Sequence, residues 1–239
     1  MKILEEEPPL ADECKLPWLI DAFLYPVSAS GMIHLLIFVF LPRLVWFLFG
    51  LLSSFAPIDF ALVVPFYVVF YGYVFYYIAG CVVDSARGKR RAADVTMPET
   101  FKAGDLISHV ILLFGCIAIC FWPTAIYYVF TQRTDLWFWV LSACGGFFLP
   151  MSFLRGVMFD SFDALNPILI IRSIRSTFLA YCGLVLLFYA LGGFITVILP
   201  RLSLWAVLSD GIKIYLLFVV VHRIGWFYWW NKDKLKWGI

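Results

Sequence analysis

Six apolar runs, each of about twenty residues or more, constrain this chain more than any other feature. They cover residues 31–55, 60–83, 106–130, 136–158, 178–199 and 204–229. An α-helix rises 1.5 Å per residue, so about 20 residues cross the roughly 30 Å of bilayer hydrocarbon. Within hydrocarbon the backbone N–H and C=O groups must be satisfied internally, and a helix does this inside a single run. The expected fold is therefore all-α: a polytopic membrane protein with about six transmembrane helices. Composition agrees. The chain is 63% hydrophobic and 14% charged, against roughly half and a quarter for a soluble domain. That excess cannot be hidden in one core of 239 residues, so lipid must solvate much of the surface.

Between the runs the chain divides as one membrane domain. Residues 1–15 form a polar tail with Glu5, Glu6 and Glu7. Residues 16–28 mix Trp18, Leu19, Ile20, Phe23 and Leu24 with Asp21. They are too few to span and too apolar to float, so they read as an amphipathic arm in the interface. The first hairpin covers 31–83, a basic loop 84–105, the second hairpin 106–158, a joint and second arm 159–177, the third hairpin 178–229, and a Lys-rich tail 230–239. The second arm has its own start signal. Pro167 lacks an N–H and Asn166 is a good N-cap, so a helix should begin at Pro167. Ile168, Ile171, Ile174 and Phe178 would form its apolar face along the membrane, with Arg172 and Arg175 reaching headgroup phosphates.

Lys and Arg placement gives the orientation. Lys2, Lys15, Arg87, Lys89, Arg90, Arg91, Lys102, Arg155, Arg172, Arg175, Arg223, Lys232, Lys234 and Lys236 fall on one side, whereas the turns of the other side hold only Arg133 and Arg201. Cytoplasmic loops carry the excess of basic residues. Both termini, the basic loop and the joint are thus expected in the cytoplasm.

Three charges fall inside runs. Arg43 lies beside Pro42, which frees a backbone carbonyl one turn back that the guanidinium could satisfy. Asp210 and Lys213 are three residues apart on one helix face and can pair with each other. A charge in hydrocarbon is costly and so faces protein or water. Arg87, Lys89, Arg90, Arg91, Arg172 and Arg175 are candidates for docking anionic headgroups or a protein partner. His34, His109 and His222 lie near cytoplasmic ends of runs and read as interfacial hydrogen-bond donors rather than metal ligands. Cys116 and Cys120 sit one turn apart with no further ligand at metal spacing, which favours packing. Phe66, Phe70, Tyr73 and Tyr77 form a stripe at helical spacing, a packing or lipid-facing pattern, with a groove for a pigment, quinone or lipid tail as the alternative. No motif of a zinc protease, a serine hydrolase or a phosphate-binding glycine loop occurs, so no catalytic residue, metal site or cofactor is assigned.

In layout the chain resembles a family of uncharacterised prokaryotic integral membrane proteins classed as a domain of unknown function. The likeness lies in the basic loop from Ala86-Arg87-Gly88, the Pro-Glu-Thr-Phe segment at 98–101, and the acidic stretch into Ala-Leu-Asn-Pro at 164–167. The resemblance implies six helices in a prokaryotic inner membrane and supplies no activity. The expected function is a non-enzymatic membrane subunit or scaffold. It would contact the bilayer and anionic lipids, and dock a protein partner or a second copy through its cytoplasmic face. The alternative is a small-solute or lipid transporter using Arg43 with Asp210 and Lys213. A membrane enzyme acting on a lipid ranks third. Nothing points to nucleic acid.

Overall fold

The computed structural model describes residues 18–53, 63–89, 91–92, 103–161, 165–235 and 237. Every regular element among them is helical. In chain order they are α1 (Trp18–Leu24), a 3-10 turn (Tyr25–Val27), α2 (Ala29–Ser53), α3 (Val63–Ala86), α4 (Ala103–Thr131), α5 (Leu136–Phe159), α6 (Pro167–Ser176), α7 (Phe178–Gly193) and α8 (Ala206–Leu235). After α7 the chain winds on through a π turn (Phe194–Ile198) and a 3-10 turn (Leu199–Leu202). Pro42, Pro123 and Pro150 all sit inside continuous helices, so none of them ends a run.

Among the described residues five helices are long and apolar enough to cross a membrane: α2, α3, α4, α5, and α7 with its following turns. The protein is an all-α polytopic membrane protein in contact with lipid. The sixth expected span corresponds to α8. At 30 residues it is the longest helix, but Asp210, Lys213, His222, Arg223 and Asn231 dilute its apolar character. It is also the helix most enclosed by protein. Its second half is buried almost continuously from Leu216 to Tyr228.

α8 lies parallel to α3. Phe218 meets Tyr77 with ring centroids 5.4 Å apart, Gly225 meets Val82 and Ser85, and Trp229 covers Gly88. A Cβ on Gly225 would stand 2.5 Å from the Val82 carbonyl oxygen, so only glycine lets these backbones approach. α2 runs the opposite way along the same pair. Phe38 meets Phe70, Tyr73, Tyr77 and Phe218 edge-on at 5.6–6.1 Å. The aromatic stripe of α3 is thus core packing against α2 and α8, with Phe70 and Tyr77 fully inside.

α4 and α5 form the second tight pair. Gly145 sits so close to Cys120 that a Cβ would come within 2.7 Å of its carbonyl oxygen. Cys120 Sγ contacts Ser152 Oγ at 3.4 Å, and Cys116 lies against the Ser152 carbonyl. Both thiols serve this helix pair as packing groups. α7 is clipped to α5 by the Tyr181 hydroxyl, which donates to the Phe147 carbonyl, and by Tyr189, which donates to that of Ala143.

Burial divides the bundle into two ends. At one end α3, α5 and α8 finish, α2, α4 and α7 begin, and most of the buried residues gather. At the other end the helices present large apolar side chains outward, including Phe47, Phe130 (83% exposed) and Trp205 (86%). We refer to these as the packed end and the open end.

α6 begins as the local chemistry requires. Pro167 is its first residue, and Asn166 Oδ1 accepts from the Ile168 N–H at 3.0 Å. It stops at Ser176. Thr177 leaves helical angles (φ −127°, ψ 23°), and α7 starts at Phe178. Three of the four residues expected on the membrane face of α6 are turned outward, and the fourth, Ile174, is not. Ile170, Ser173 and Ile174 are buried, whereas Ile168, Ile171 and Phe178 remain exposed. The sequence pattern identifies apolar positions but not which of them meet protein and which meet lipid.

Candidate functional site

Polar groups collect at three places. The first lies at the open end. Arg43 on α2 donates to Asp210 on α8 at 2.5 Å, and Lys213 donates to the other carboxylate oxygen at 3.0 Å. Arg43 also donates to the Val39 carbonyl at 3.3 Å. The helical acceptor released by Pro42 would be that of Phe38, four residues back, so the guanidinium uses the neighbouring carbonyl instead. The three side chains are 32–45% exposed. One carboxylate held between two cations leaves a single net positive charge on the group, and both cations have a partner in place. The expected Asp210/Lys213 pair is therefore a triad joining α2 to α8.

The second lies inside the packed end and corrects the reading of the histidines. His222 is 0% exposed, with Nδ1 2.9 Å from Ser85 Oγ on α3, and Tyr25 stacks on it at 4.0 Å. His34 is also buried. Its Nε2 lies 2.9 Å from the Tyr73 hydroxyl, its Nδ1 2.8 Å from the Ser30 carbonyl, and Tyr77 stacks on it at 3.9 Å. Neither is an interfacial donor. Each ties two or three elements together, and Tyr25 brings the first arm into the core. The His109 side chain lies outside the described residues. Ser85 and His222 have the contact of a nucleophile and its base, but both are buried beneath Tyr25, and the larger cavity at this end is lined by other residues.

That cavity is the third place. It measures about 550 Å³ and opens where α5, α6 and the end of α8 meet. Small-molecule sites commonly measure about 300–1,000 Å³. Arg155 stands at its base, only 6% exposed although it comes near the end of an apolar run. Its guanidinium carbon lies 5.0 Å from the Phe159 ring and 4.9 Å from that of Trp237, and Nη1 donates to Ser173 Oγ at 3.2 Å. Trp237 Nε1 donates to the same oxygen at 3.1 Å, and Ser173 in turn donates to the Leu169 carbonyl. Arg172 and Lys234 complete the lining with Ser176, and no carboxylate appears among the described lining residues.

The basic loop adjoins this end. Gly88 adopts φ +87° beneath the Trp229 ring, which also carries Lys232 Nζ 4.3 Å from its centroid. Lys89 pairs with Asp84 at 3.2 Å. Arg87 and Arg91 are exposed, Arg90 lies outside the described residues, and Arg172 and Arg175 are exposed on α6. The docking candidates with described positions thus share one end of the bundle, while Arg43, Asp210 and Lys213 occupy the other. Among the described residues no group of three or more His, Cys, Asp and Glu side chains is placed to hold a metal ion.

Sequence reasoning missed Arg155, Ser173 and Trp237. Their one visible signal was a serine between the two arginines of α6, a small polar residue on a helix otherwise rich in isoleucine. No protein-family model, curated protein or solved structure matches the chain.

Proposed function

We propose that this protein is a non-enzymatic membrane subunit or scaffold that docks a protein partner or a second copy of itself through its packed end. The observation that supports this is the division of charge. Exposed cations from the loop after α3, from α6 and from the end of α8 gather on one end, whereas the charges among the helices of the open end are joined to one another. In this reading the packed end faces the cytoplasm of a prokaryote and the protein sits in the inner membrane, as basic residues favour the inner side. α8 then supplies the sixth span. Its stretch from Asp210 to Trp229, roughly 30 Å long, lies parallel to α3 and antiparallel to α2.

A transporter would need the Arg43, Asp210 and Lys213 group to open to a solute. Their mutual pairing favours a role in joining α2 to α8. Purification of the intact chain in mild detergent, followed by mass spectrometry and light scattering, tests the docking reading. It predicts a stoichiometric partner or a dimer that is lost when Arg87, Lys89 and Arg91 are changed to Glu. A monodisperse monomer with no stoichiometric partner would count against it.

A further inference from the structure

We infer that the cavity between α5, α6 and the end of α8 is a binding site for a phosphate ester anion. Three cations line it, Arg155, Arg172 and Lys234, with the hydroxyls of Ser173 and Ser176. The described lining residues include no carboxylate, and Arg172 and Lys234 carry the exposed charge. Arg155 is held before any ligand arrives. Its guanidinium lies against two neighbouring aromatic rings, whose centroids are 5.7 Å apart, and Ser173 fixes one edge, so little side-chain entropy remains to be lost on binding. A planar guanidinium suits the geometry of phosphate oxygens, and a lysine adds a point charge. Arg172 and Lys234 are exposed, and neither forms an ion pair with a described residue.

The walls distinguish this site from a patch of surface charge. Trp237, Phe159 and Leu235 give it an apolar side, and α6 carries exposed Ile168 and Ile171 beside it. A ligand with a phosphate and an apolar body would satisfy both. Such a phosphate could belong to a lipid headgroup or to a soluble phosphate ester, and the charges recognise what the two share. The cavity shares Arg172 and Lys234 with the cation-rich end proposed to dock a partner but takes nothing from the loop after α3, so the loop variants test docking and the rim variants test the cavity.

The test uses the intact chain in neutral-detergent micelles. Native mass spectrometry records retention of dioleoyl phosphatidylglycerol and dioleoyl phosphatidylcholine, and calorimetry records binding of inorganic phosphate and glycerol phosphate. We expect one anionic lipid retained per chain, with phosphatidylcholine held far more weakly. Replacing both rim cations, Arg172→Gln with Lys234→Gln, should weaken binding at least about tenfold. Arg201→Gln, exposed in the turn at the open end, should leave it unchanged. Both rim residues are exposed, so an unchanged thermal transition separates lost binding from lost fold. If the soluble esters displace the lipid, the occupant is a soluble phosphate ester; if they do not, it is a lipid headgroup. Equal retention by the native chain and the double variant would overturn the site, as would equal loss in Arg201→Gln.

Discussion

The packed and open ends belong to the same helices, yet they use polar groups in opposite ways. At the packed end His34, His222, Ser85, Arg155 and Ser173 are buried, and each has a hydrogen-bond partner on another element or in the helix backbone. At the open end the polar triad is part-exposed, and the helices around it turn Leu44, Trp46, Phe47 and Trp205 outward. Helices in lipid gain little from burying apolar area against each other, because lipid tails are as apolar as leucine. What holds them is close backbone approach and hydrogen bonding. The packed end has both, in the Gly225 contact with α3 and in the histidine and arginine clusters. The open end has the Arg43–Asp210 pair and the Tyr189 clip.

The largest effect should come from overfilling the packed end. Gly225→Ala places a methyl group 2.5 Å from the Ser85 Cβ and the Val82 carbonyl oxygen. α3 and α8 must then separate, at a cost of about 2–3 kcal/mol. Gly192→Ala, on α7 toward the open end, meets nothing within 4 Å. It should stabilise its helix by about 0.5–1 kcal/mol. Unfolding by denaturing detergent, followed by tryptophan fluorescence, compares the two. Equal effects would remove the distinction between the ends.

Removing polar contacts should show the same contrast on a smaller scale. His222→Leu loses the Tyr25 stack and leaves Ser85 Oγ without its histidine, at about 1.5–3 kcal/mol. Asp210→Asn disturbs a part-exposed ion group and should cost about 1 kcal/mol or less. The same assay measures both. A larger loss for Asp210→Asn would make the open-end triad a main support of the bundle.

The smallest effect concerns the turn between α4 and α5. The Tyr127 hydroxyl donates to Asp135 at 2.6 Å and holds its carboxyl below the usual carboxylate range, aided by the Phe138 N–H that Asp135 caps. A carboxyl with a depressed folded pKa contributes stability at pH above its unfolded value, near 3.9, and the contribution disappears as pH falls through the folded value. Exchange of the Phe138 amide should therefore quicken only below the ordinary carboxylate range. Quickening near neutral pH would contradict the cap.

How much of this was legible in the sequence varies with the range of the interaction. α6 was readable in detail because Asn166 and Pro167 act on their own neighbours. Five of the spans were readable from length and apolarity. The burial of His222 was not, since its partners Tyr25 and Ser85 are 197 and 137 residues away in sequence and only the packing of the 3-10 turn after α1, of α3 and of α8 unites them. Arg155 looked like one more basic residue near a membrane surface. Its burial depends on Trp237 returning from the tail to stack on it. Ile174 alone of the four residues expected on the membrane face of α6 is buried, because in a membrane both protein and lipid receive apolar side chains.

The central claim is that α8 crosses the membrane alongside α3, so that the packed end is one face of a six-span protein. Paired topology reporters, one active only in the cytoplasm and one only outside it, test this most directly when fused at Lys89, Arg133, Arg201 and after Ile239. The account predicts cytoplasmic signals at Lys89 and after Ile239, and outside signals at Arg133 and Arg201. Lys89 and Ile239 on opposite sides of the membrane would contradict it.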